Sequence, residues 1–252
     1  MTTMVVVPVE EIPPLDHDEA MALAAAEYAR LLALADELSP DDLLRPTDCT
    51  AWSVRDVLGH LLGMAEMQAD PAEQRRQVGT ATERARESGE LWLTEMTALQ
   101  VREHTHLTTA ELRAALHETV PRALAGRRAL SAEGRAEPYD PQLPGEPMWT
   151  LGYLIDVVLT RDPWLHRIDI CRAVGRRMFL VSGHDGRIIA DVVADWAGRH
   201  GRPFALELTG PAGGRFRAGH GGADLRMDAV EFCRTLSGRA TGPGLLQTPV
   251  PF

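Results

Sequence analysis

The chain has 252 residues, of which 44% are apolar, so it is long enough to bury one large core or two modest ones. Its 26 basic and 36 acidic residues give a net charge of −10, which argues against nonspecific nucleic-acid binding because no excess of Lys and Arg is present to neutralise phosphates. The three cysteines lie far apart and predict neither a disulfide framework nor a zinc knuckle, as expected of a cytoplasmic protein.

The N-terminal stretch MTTMVVVPVEEIPP has no basic segment, and Pro8 interrupts its apolar run. We therefore expect neither a signal peptide nor a membrane span there. The apolar run LGYLIDVVLT, residues 151–160, is also too short to cross a bilayer. The sequence predicts a soluble, cytoplasmic protein that acts on small molecules, with neither nucleic acid nor membrane as a partner, present as a monomer or homodimer.

The first half of the chain predicts a series of helices. An Ala- and Leu-rich segment with apolar residues at helical intervals predicts the first helix, over residues 18–38. Ser53 is the expected N-cap of a second helix. Residues 71–104 are heavily charged and fit one long helix or two shorter ones. The capping box formed by residues 108–111 opens a further helix, which Pro121 is expected to bend or divide.

Residues 149–173 allow two interpretations. The run from Tyr153 to Thr160 is rich in β-branched residues and fits a buried strand. A helix is favoured because the apolar pattern continues past Pro163 as far as Ile170.

The sequence after Gly175 predicts a small α+β unit with Gly-rich turns. Its expected elements are a helix, three strands and a final helix capped by Asp228, over residues 185–200, 204–208, 215–218, 224–227 and 229–239. We therefore predict two domains: a helical bundle over residues 1–178 and an α+β domain over residues 179–252.

The segment RDPWLHRIDICRA, residues 161–173, places Asp162, His166 and Asp169 at intervals of four and three. On an α-helix each residue advances about 100°, so Asp162 and His166 lie about 40° apart and Asp169 lies about 60° from His166. A carboxylate and an imidazole on one helix face can both bind a divalent metal such as zinc. The best candidate for a third ligand is His60, beside the apolar stripe of the second helix.

A simpler interpretation of the same residues remains open. Asp162 stands directly before Pro163 and could cap a helix that begins at the proline, which would leave His166 as a partly buried histidine. His60 alone is more often a hydrogen-bonded interior residue than a ligand. The other histidines stand in polar or Gly-rich settings and are expected to be solvated, including His104, His106, His184 and His220.

Two segments, PTDCTAWSVRDVLGHLLG at 46–63 and RDPWLHRIDICRAVGR at 161–176, resemble the first and last helices of the metal-binding core of the mycothiol-dependent maleylpyruvate isomerase family, within the DinB-like superfamily. The tail DAVEFCRTLSGRATGPGLLQTPVPF resembles the end of that family's C-terminal domain. The resemblance implies a mainly α fold, in which a DinB-like four-helix bundle holds a divalent metal, often zinc. A small α+β domain similar to sterol-carrier modules would follow the bundle.

The resemblance also implies a ligand set. His60 corresponds to the family's ligand on the second helix, and His166 to the histidine that closes its Glu-x-x-x-His pair. Asp162 stands at the place of the glutamate and is one methylene shorter, and Pro163 beside it can shift the backbone. Asp169 would orient a ligand histidine from behind the site, or alternatively cap or pair with an arginine such as Arg172.

The family's chemistry uses a low-molecular-weight thiol that becomes a thiolate and adds to an electrophilic substrate. The resemblance therefore implies a divalent-metal-dependent transferase or isomerase of small electrophilic molecules, with mycothiol or another small thiol as cosubstrate. Arg239 is the nearest match to an arginine that holds an acidic substrate, and its alternative is an ordinary exposed arginine after a helix-ending glycine. The three cysteines, Cys49, Cys171 and Cys233, are then interpreted as packing residues.

Two other functions stay open at this point. One is a non-catalytic DinB-like protein that binds a metal or a small molecule, and the other is a metal-dependent hydrolase that uses bound water.

Overall fold

A computed structural model describes residues 5–49 and 51–252. The first four residues of the N-terminal stretch, and Thr50 within the segment 46–63, lie outside this part. Among the described residues no helix is both long and apolar enough to span a membrane. The chain forms two compact units: His17–Arg176, and a second unit that joins the described residues up to Asp16 with Arg177–Phe252.

The described residues form ten α-helices: α1 His17–Glu37, α2 Pro40–Leu43, α3 Val54–Ala69, α4 Pro71–Ser88, α5 Trp92–His104, α6 Thr109–Arg128, α7 Ala132–Ala136, α8 Leu159–Ala173, α9 Asp185–His200 and α10 Ala229–Leu236. They also form six strands: β1 Val6–Pro8, β2 Pro138–Tyr139, β3 Trp149–Thr150, β4 Phe204–Thr209, β5 Gly214–Ala218 and β6 Ala223–Asp228. Short 3₁₀ turns cover Val9–Glu11 and Gly244–Gln247, and a π-helix covers Tyr153–Val158.

The helix starts follow from local hydrogen bonding. The Ser53 side chain accepts from the backbone N–H of Asp56, and the Asp56 carboxylate accepts from the backbone N–H of Ser53, which satisfies two donors at the start of α3. Thr108 and Glu111 form the same reciprocal pair at the start of α6. Both capping predictions are confirmed.

Four helices of the first unit, α1, α3, α6 and α8, pack around a common core as a four-helix bundle. The core is formed by aliphatic side chains such as Leu58, Leu61, Leu116 and Val120. Helices α4 and α5 pack against each other and against α3. The mainly helical fold class, with a small sheet, is confirmed.

Two ambiguities in the helical region are resolved. Residues 71–104 form two helices because Gly89 ends α4 with a φ of 76°, a left-handed conformation that glycine adopts without steric cost. Pro121 does not divide its helix, since α6 runs unbroken from Thr109 to Arg128. Pro121 has no N–H, so the carbonyl of His117 loses its usual helical donor. Both residues are exposed, so water can donate a hydrogen bond to that carbonyl instead.

The second unit is built on a four-stranded sheet with the order β1-β5-β4-β6. Strand β4 pairs antiparallel with β5 and parallel with β6, and β1 pairs parallel with β5. Helices α9 and α10 supply Trp196 and Phe232, whose rings lie 5.2 Å apart at right angles. The strands near residues 204, 215 and 224 and the cap of α10 by Asp228 are as predicted.

The N-terminal strand differs from the sequence expectation. Val6–Pro8 pair with Arg215–Arg217, so the segment that begins the chain belongs to the sheet and not to the helical bundle. The predicted domain of residues 1–178 had placed this segment with the helices. The sequence could not predict this strand, because it has only three residues and its pairing partner lies about 200 residues away in the chain.

Candidate metal centre

Helices α3 and α8 bring His60, Asp162 and His166 together inside the helical bundle. The Oδ1 atom of Asp162 lies 3.4 Å from His166 Nε2 and 3.7 Å from His60 Nε2. One possible ligand atom from each residue falls within 4.8 Å of the others. Both histidines are 5% exposed, and the Asp162 side chain is 15% exposed. The cluster is therefore buried, with its carboxylate nearest to solvent.

These separations suit three ligands around one small cation. Zinc bonds of about 2.0–2.1 Å in tetrahedral geometry separate neighbouring ligand atoms by roughly 3.3 Å. The 3.4 and 3.7 Å distances come close to that edge length. They are longer than the usual N–H···O hydrogen bond of about 2.7–3.2 Å. The residues present thus fit a divalent metal, and three protein ligands would leave a position open for a small molecule.

Asp162 lies inside a continuous helix. Helix α8 begins at Leu159 and contains Pro163, so the alternative in which Asp162 caps a helix starting at the proline is wrong. Residues 149–150 form strand β3, but the ambiguous run 153–160 is helical, since the π-helix Tyr153–Val158 leads directly into α8. Asp162 and His166 consequently share one helix face, as their spacing predicts.

Arg127 of α6 replaces the hydrogen bond that Pro163 cannot donate within α8. Pro163 has no N–H, which leaves the carbonyl of Leu159 without its helical donor. The Arg127 guanidinium donates to that carbonyl at 3.1 Å, and also to the carbonyl of Ile155 at 2.6 Å and to Thr160 Oγ1 at 2.9 Å. Arg127 is 2% exposed, so a buried cation supplies the hydrogen bond that Pro163 cannot give to the Leu159 carbonyl.

Each histidine of the cluster is held from behind through Nδ1. His166 Nδ1 lies 3.1 Å from Asp169 Oδ2, and His60 Nδ1 lies 2.8 Å from Gln100 Oε1. With Nδ1 engaged in this way, Nε2 of each ring is the atom that faces Asp162. That Asp169 orients His166 stays a prediction; Arg172, the alternative partner of Asp169, lies with Nε 2.8 Å from Asp48 Oδ2.

Gln100 was not predicted. It lies on α5 and is fully buried. The available signal was its position four residues after Met96, where a polar residue enters an apolar helix face. That signal identifies a buried amide but does not say which side chain it contacts.

The charges of Asp162 and His166 stabilise each other when no metal is present. Burial by itself raises the pKa of Asp162, but the neighbouring imidazoles of His166 and His60 outweigh it and hold that pKa well below its usual value. Burial lowers the pKa of His166, but Asp162, Asp169 and Cys49 outweigh it and raise that pKa well above 6.5. The metal-free cluster therefore keeps a proton on His166 around neutral pH.

Cys49 and Trp52, both from the loop before α3, also lie at the cluster. Cys49 Sγ is 3.3 Å from Asp169 Oδ2 and 3.9 Å from His166 Nδ1, so this cysteine contacts the site and is more than a packing residue. The Trp52 ring centroid lies 5.1 Å from that of His60 and 6.2 Å from that of His166. The indole thus covers both imidazoles.

Two of the histidines expected to be solvated are buried. His104 is 7% exposed, with Nδ1 2.7 Å from the carbonyl of Gln100 and Nε2 3.2 Å from Glu66. His184 is 6% exposed and stands at the start of α9. The prediction failed for these two because polar neighbours in sequence do not report how elements pack. His106 and His220 are exposed, as expected.

Arg239 lies just after α10, in the unit that contains the sheet. Its backbone N–H donates to the carbonyl of Arg234 at 2.9 Å, and its side chain is partly exposed. Its role toward an acidic substrate stays a prediction.

The fold and the cluster define a class: a helical bundle with a buried histidine and carboxylate cluster, combined with a small α+β unit. Residues 24–171 match the family described as Mycothiol maleylpyruvate isomerase N-terminal domain, and the chain belongs to that family. No curated protein sequence matches the chain.

Two solved structures share the fold. One is a mycothiol-dependent maleylpyruvate isomerase, with a TM-score of 0.59 and 14% identity. The other is a point mutant of a mycothiol-dependent maleylpyruvate isomerase, with a TM-score of 0.58 and 13% identity. In both comparisons 93% of each chain is covered. The likeness therefore spans both units of the chain.

Proposed function

We propose that the protein is a divalent-metal-dependent transferase or isomerase that acts on small electrophilic molecules. Its cosubstrate is mycothiol or another low-molecular-weight thiol. The observation that carries the proposal is the convergence of His60 Nε2, His166 Nε2 and Asp162 Oδ1 at separations suited to one cation. Two nitrogen donors and one carboxylate favour zinc among common divalent ions. Membership of the family supports the thiol cosubstrate.

When bound, a divalent cation would lower the pKa of a coordinating thiol and so supply a thiolate near pH 7. The chain's own residues set the conditions for this chemistry. His60 of α3 and Asp162 and His166 of α8 would hold the cation, and the contact of Asp169 with Nδ1 of His166 leaves Nε2 of that ring facing Asp162. Trp52 covers the imidazoles and limits the access of water from its side.

The aspartate at position 162 suits this backbone although the family pattern has glutamate there. With Asp162 inside α8, its short carboxylate already lies at the separations a cation requires from both imidazoles. We infer that a glutamate at this position would carry its oxygens about one C–C bond further, toward the imidazoles, and would need α8 to shift.

Metal analysis of untagged protein, purified with zinc present, is the first test. We expect about one divalent ion per chain in the purified protein, bound by His60, Asp162 and His166. His60→Ala and His166→Ala should each lose the ion. His117→Ala is the matched control, since this exposed histidine of α6 pairs with Asp36 away from the cluster. A metal-free wild-type protein from such a preparation would overturn the proposal.

Thiol dependence is the second test. Loaded protein is assayed with maleylpyruvate and a panel of small electrophiles, with mycothiol, another small thiol or no thiol. Turnover that requires a thiol and disappears in His166→Ala is the expected result. Metal binding without any thiol-dependent turnover would favour a non-catalytic binding protein, and turnover without thiol would favour metal-dependent hydrolysis.

Arg239 is the candidate residue for binding an acidic substrate. We propose that Arg239 binds the carboxylate of an acidic substrate through paired hydrogen bonds, so that Arg239→Ala raises KM for acidic electrophiles about tenfold or more. The Arg239→Ala substitution should leave metal content unchanged.

We also propose a cytoplasmic location, where small thiols are kept reduced.

A further inference from the structure

We infer that two buried amides, Gln77 and Gln100, form a directed hydrogen-bond chain that fixes His60 with its proton on Nδ1. Gln100 is then a positioning residue that presents the bare Nε2 of His60 to the cluster. The inference deepens the proposed metal site and rests on it for its functional meaning. The chain itself is a property of the residues alone.

The direction of the chain is set at its far end. Gln77 Nε2 lies 3.2 Å from the carbonyl oxygen of Gly63 and 2.8 Å from Glu73 Oε1. A carbonyl and an ionised carboxylate can only accept hydrogen bonds, so the Gln77 amide must direct its NH₂ group toward them. Its Oε1 therefore points the other way, as an acceptor.

Gln100 continues the hydrogen-bond chain toward His60. Its Nε2 donates to Gln77 Oε1 at 3.0 Å, which leaves Gln100 Oε1 to accept from His60 Nδ1 at 2.8 Å. Both glutamines are fully buried, so water does not offer substitute partners. His60 must supply the proton in that contact, and the neutral ring carries it on Nδ1.

Reversing either amide leaves buried groups badly paired. A reversed Gln77 would set its oxygen against the Gly63 carbonyl and the Glu73 carboxylate. A reversed Gln100 would set its oxygen against Gln77 Oε1 and its NH₂ group against His60. The thioether sulfurs of Met64 and Met67, at 3.2 and 3.3 Å from Gln100 Nε2, are weak acceptors and also favour the observed orientation.

The competing acceptor on the other side of His60 is weaker. Asp162 Oδ1 lies 3.7 Å from Nε2, beyond the usual hydrogen-bond range of about 2.7–3.2 Å, whereas Gln100 Oε1 lies at 2.8 Å. In the neutral ring the proton is therefore held at Nδ1, and Nε2 keeps the lone pair that a metal ligand needs.

Helix α3 provides room for this contact at Gly63. A Cβ atom at Gly63 would lie 2.6 Å from Cγ of Gln100, so the glycine lets the Gln100 side chain cross directly over the helix backbone. One residue thus both admits Gln100 and, through its carbonyl, anchors Gln77.

Three substitutions separate this role from simple packing. Gln100→Met keeps the side-chain length but offers no strong acceptor, and Gln100→Glu retains an acceptor for Nδ1–H. Gln77→Met touches neither His60 nor the cluster and removes only the group that orients Gln100. Gln68→Met is the matched control, because Gln68 lies on α3, the helix that carries His60, and its buried Oε1 has no partner within the described residues.

The first readout is the ¹⁵N NMR spectrum of metal-free protein at a pH where His60 is neutral, with His60 assigned by its loss in His60→Ala. We expect the wild type, Gln68→Met and Gln100→Glu to show the Nδ1–H tautomer. Gln100→Met and Gln77→Met should populate the Nε2–H form. A wild-type ring protonated on Nε2, or no change in Gln77→Met, would overturn the directed chain even if the protein binds zinc.

The second readout is zinc affinity, measured by competition with a chelator. We expect Gln100→Met to weaken binding roughly 10- to 100-fold, as loss of a group that orients a ligand does elsewhere, with Gln100→Glu close to the wild type. Equal losses in Gln100→Met and Gln100→Glu would overturn the positioning role. A wild type that shows the Nδ1–H tautomer but binds no zinc would contradict the proposed function and leave the tautomer chain supported.

Discussion

At the scale of single residues, Asp162 and His166 are both ligand candidates and each other's counter-ion. The raised pKa of His166 and the lowered pKa of Asp162 describe a pair that is charged and stable without metal. A cation that takes His166 Nε2 as a ligand must displace the proton on that nitrogen. Metal binding and protonation are therefore competing events at one atom.

This competition predicts that zinc affinity rises with pH. Below the raised pKa of His166 one proton leaves for each ion bound, so the dissociation constant should fall about tenfold per pH unit and level off above that pKa. Chelator competition between pH 6 and 9 measures the slope.

Asp162→Asn provides the control for this slope. The change removes the charge that raises the pKa of His166, so the curve should level off at lower pH while affinity falls overall. An affinity in the wild type that does not depend on pH would contradict this account of His166.

The ligand candidates could be predicted because their chemistry is local. Asp162 and His166 are four residues apart on one helix, and His60 lies beside the apolar stripe of another, so period and residue type sufficed. Gln100 and Cys49 could not be found this way. Their roles depend on which atoms α5 and the loop before α3 bring to the imidazoles, and that is decided by packing between elements far apart in sequence.

At the scale of elements, the junction of the π-helix with α8 is held by a side chain from another helix. Arg127 of α6 donates to carbonyls on both sides of the junction, at Ile155 and Leu159. The helix that carries Asp162 and His166 therefore depends on α6 for its hydrogen bonding as well as for its packing.

A double-mutant cycle between Arg127 and Pro163 tests this dependence. Arg127→Met should lower the free energy of unfolding by about 2 kcal/mol, because the buried carbonyl of Leu159 and the partly buried carbonyl of Ile155 lose a charged donor. Pro163→Ala restores an N–H that can bond to the Leu159 carbonyl, so the loss should be smaller in that background. Urea unfolding of the four proteins measures the coupling. Additive effects would contradict the compensation.

Capping signals predicted the starts of α3 and α6, because a serine or threonine and an acidic residue three positions later form a local pair of hydrogen bonds there. The π-helix offered no such signal. Its Ile155 carbonyl accepts a hydrogen bond from the buried guanidinium of Arg127, which comes from a position about 30 residues earlier in the chain.

At the scale of the whole molecule, the sheet unit is assembled from both ends of the chain. Strand β1 occupies one edge of the sheet, and all other strands of that sheet follow residue 200. The helical bundle, His17–Arg176, is inserted between these two parts. The candidate ligands all lie within the bundle.

Removal of residues 1–11 should therefore affect the two units differently. The sheet unit loses the parallel pairing of β1 with β5 and should unfold at a temperature lower by about 4–8 °C for each kcal/mol lost. The bundle should still bind about one zinc ion per chain. Differential scanning calorimetry and metal analysis test the two outcomes.

Removal of residues 1–4 alone is the control, since it leaves Val6–Pro8 in place. Loss of zinc from the shorter deletion, or an unchanged unfolding profile in the longer one, would contradict the separation of the two roles.

The position of β1 also has a consequence during synthesis. Val7 pairs with Phe216, so the first strand leaves the ribosome long before its partner is made. At about 5–20 residues per second, the roughly 200 intervening residues take about 10–40 s to translate. For that time an apolar segment has no sheet to join, while the bundle that follows it in the sequence can already fold. A nascent chain of this protein thus carries an unpaired edge-strand segment, which is a natural binding site for a chaperone and a starting point for aggregation when synthesis is slowed.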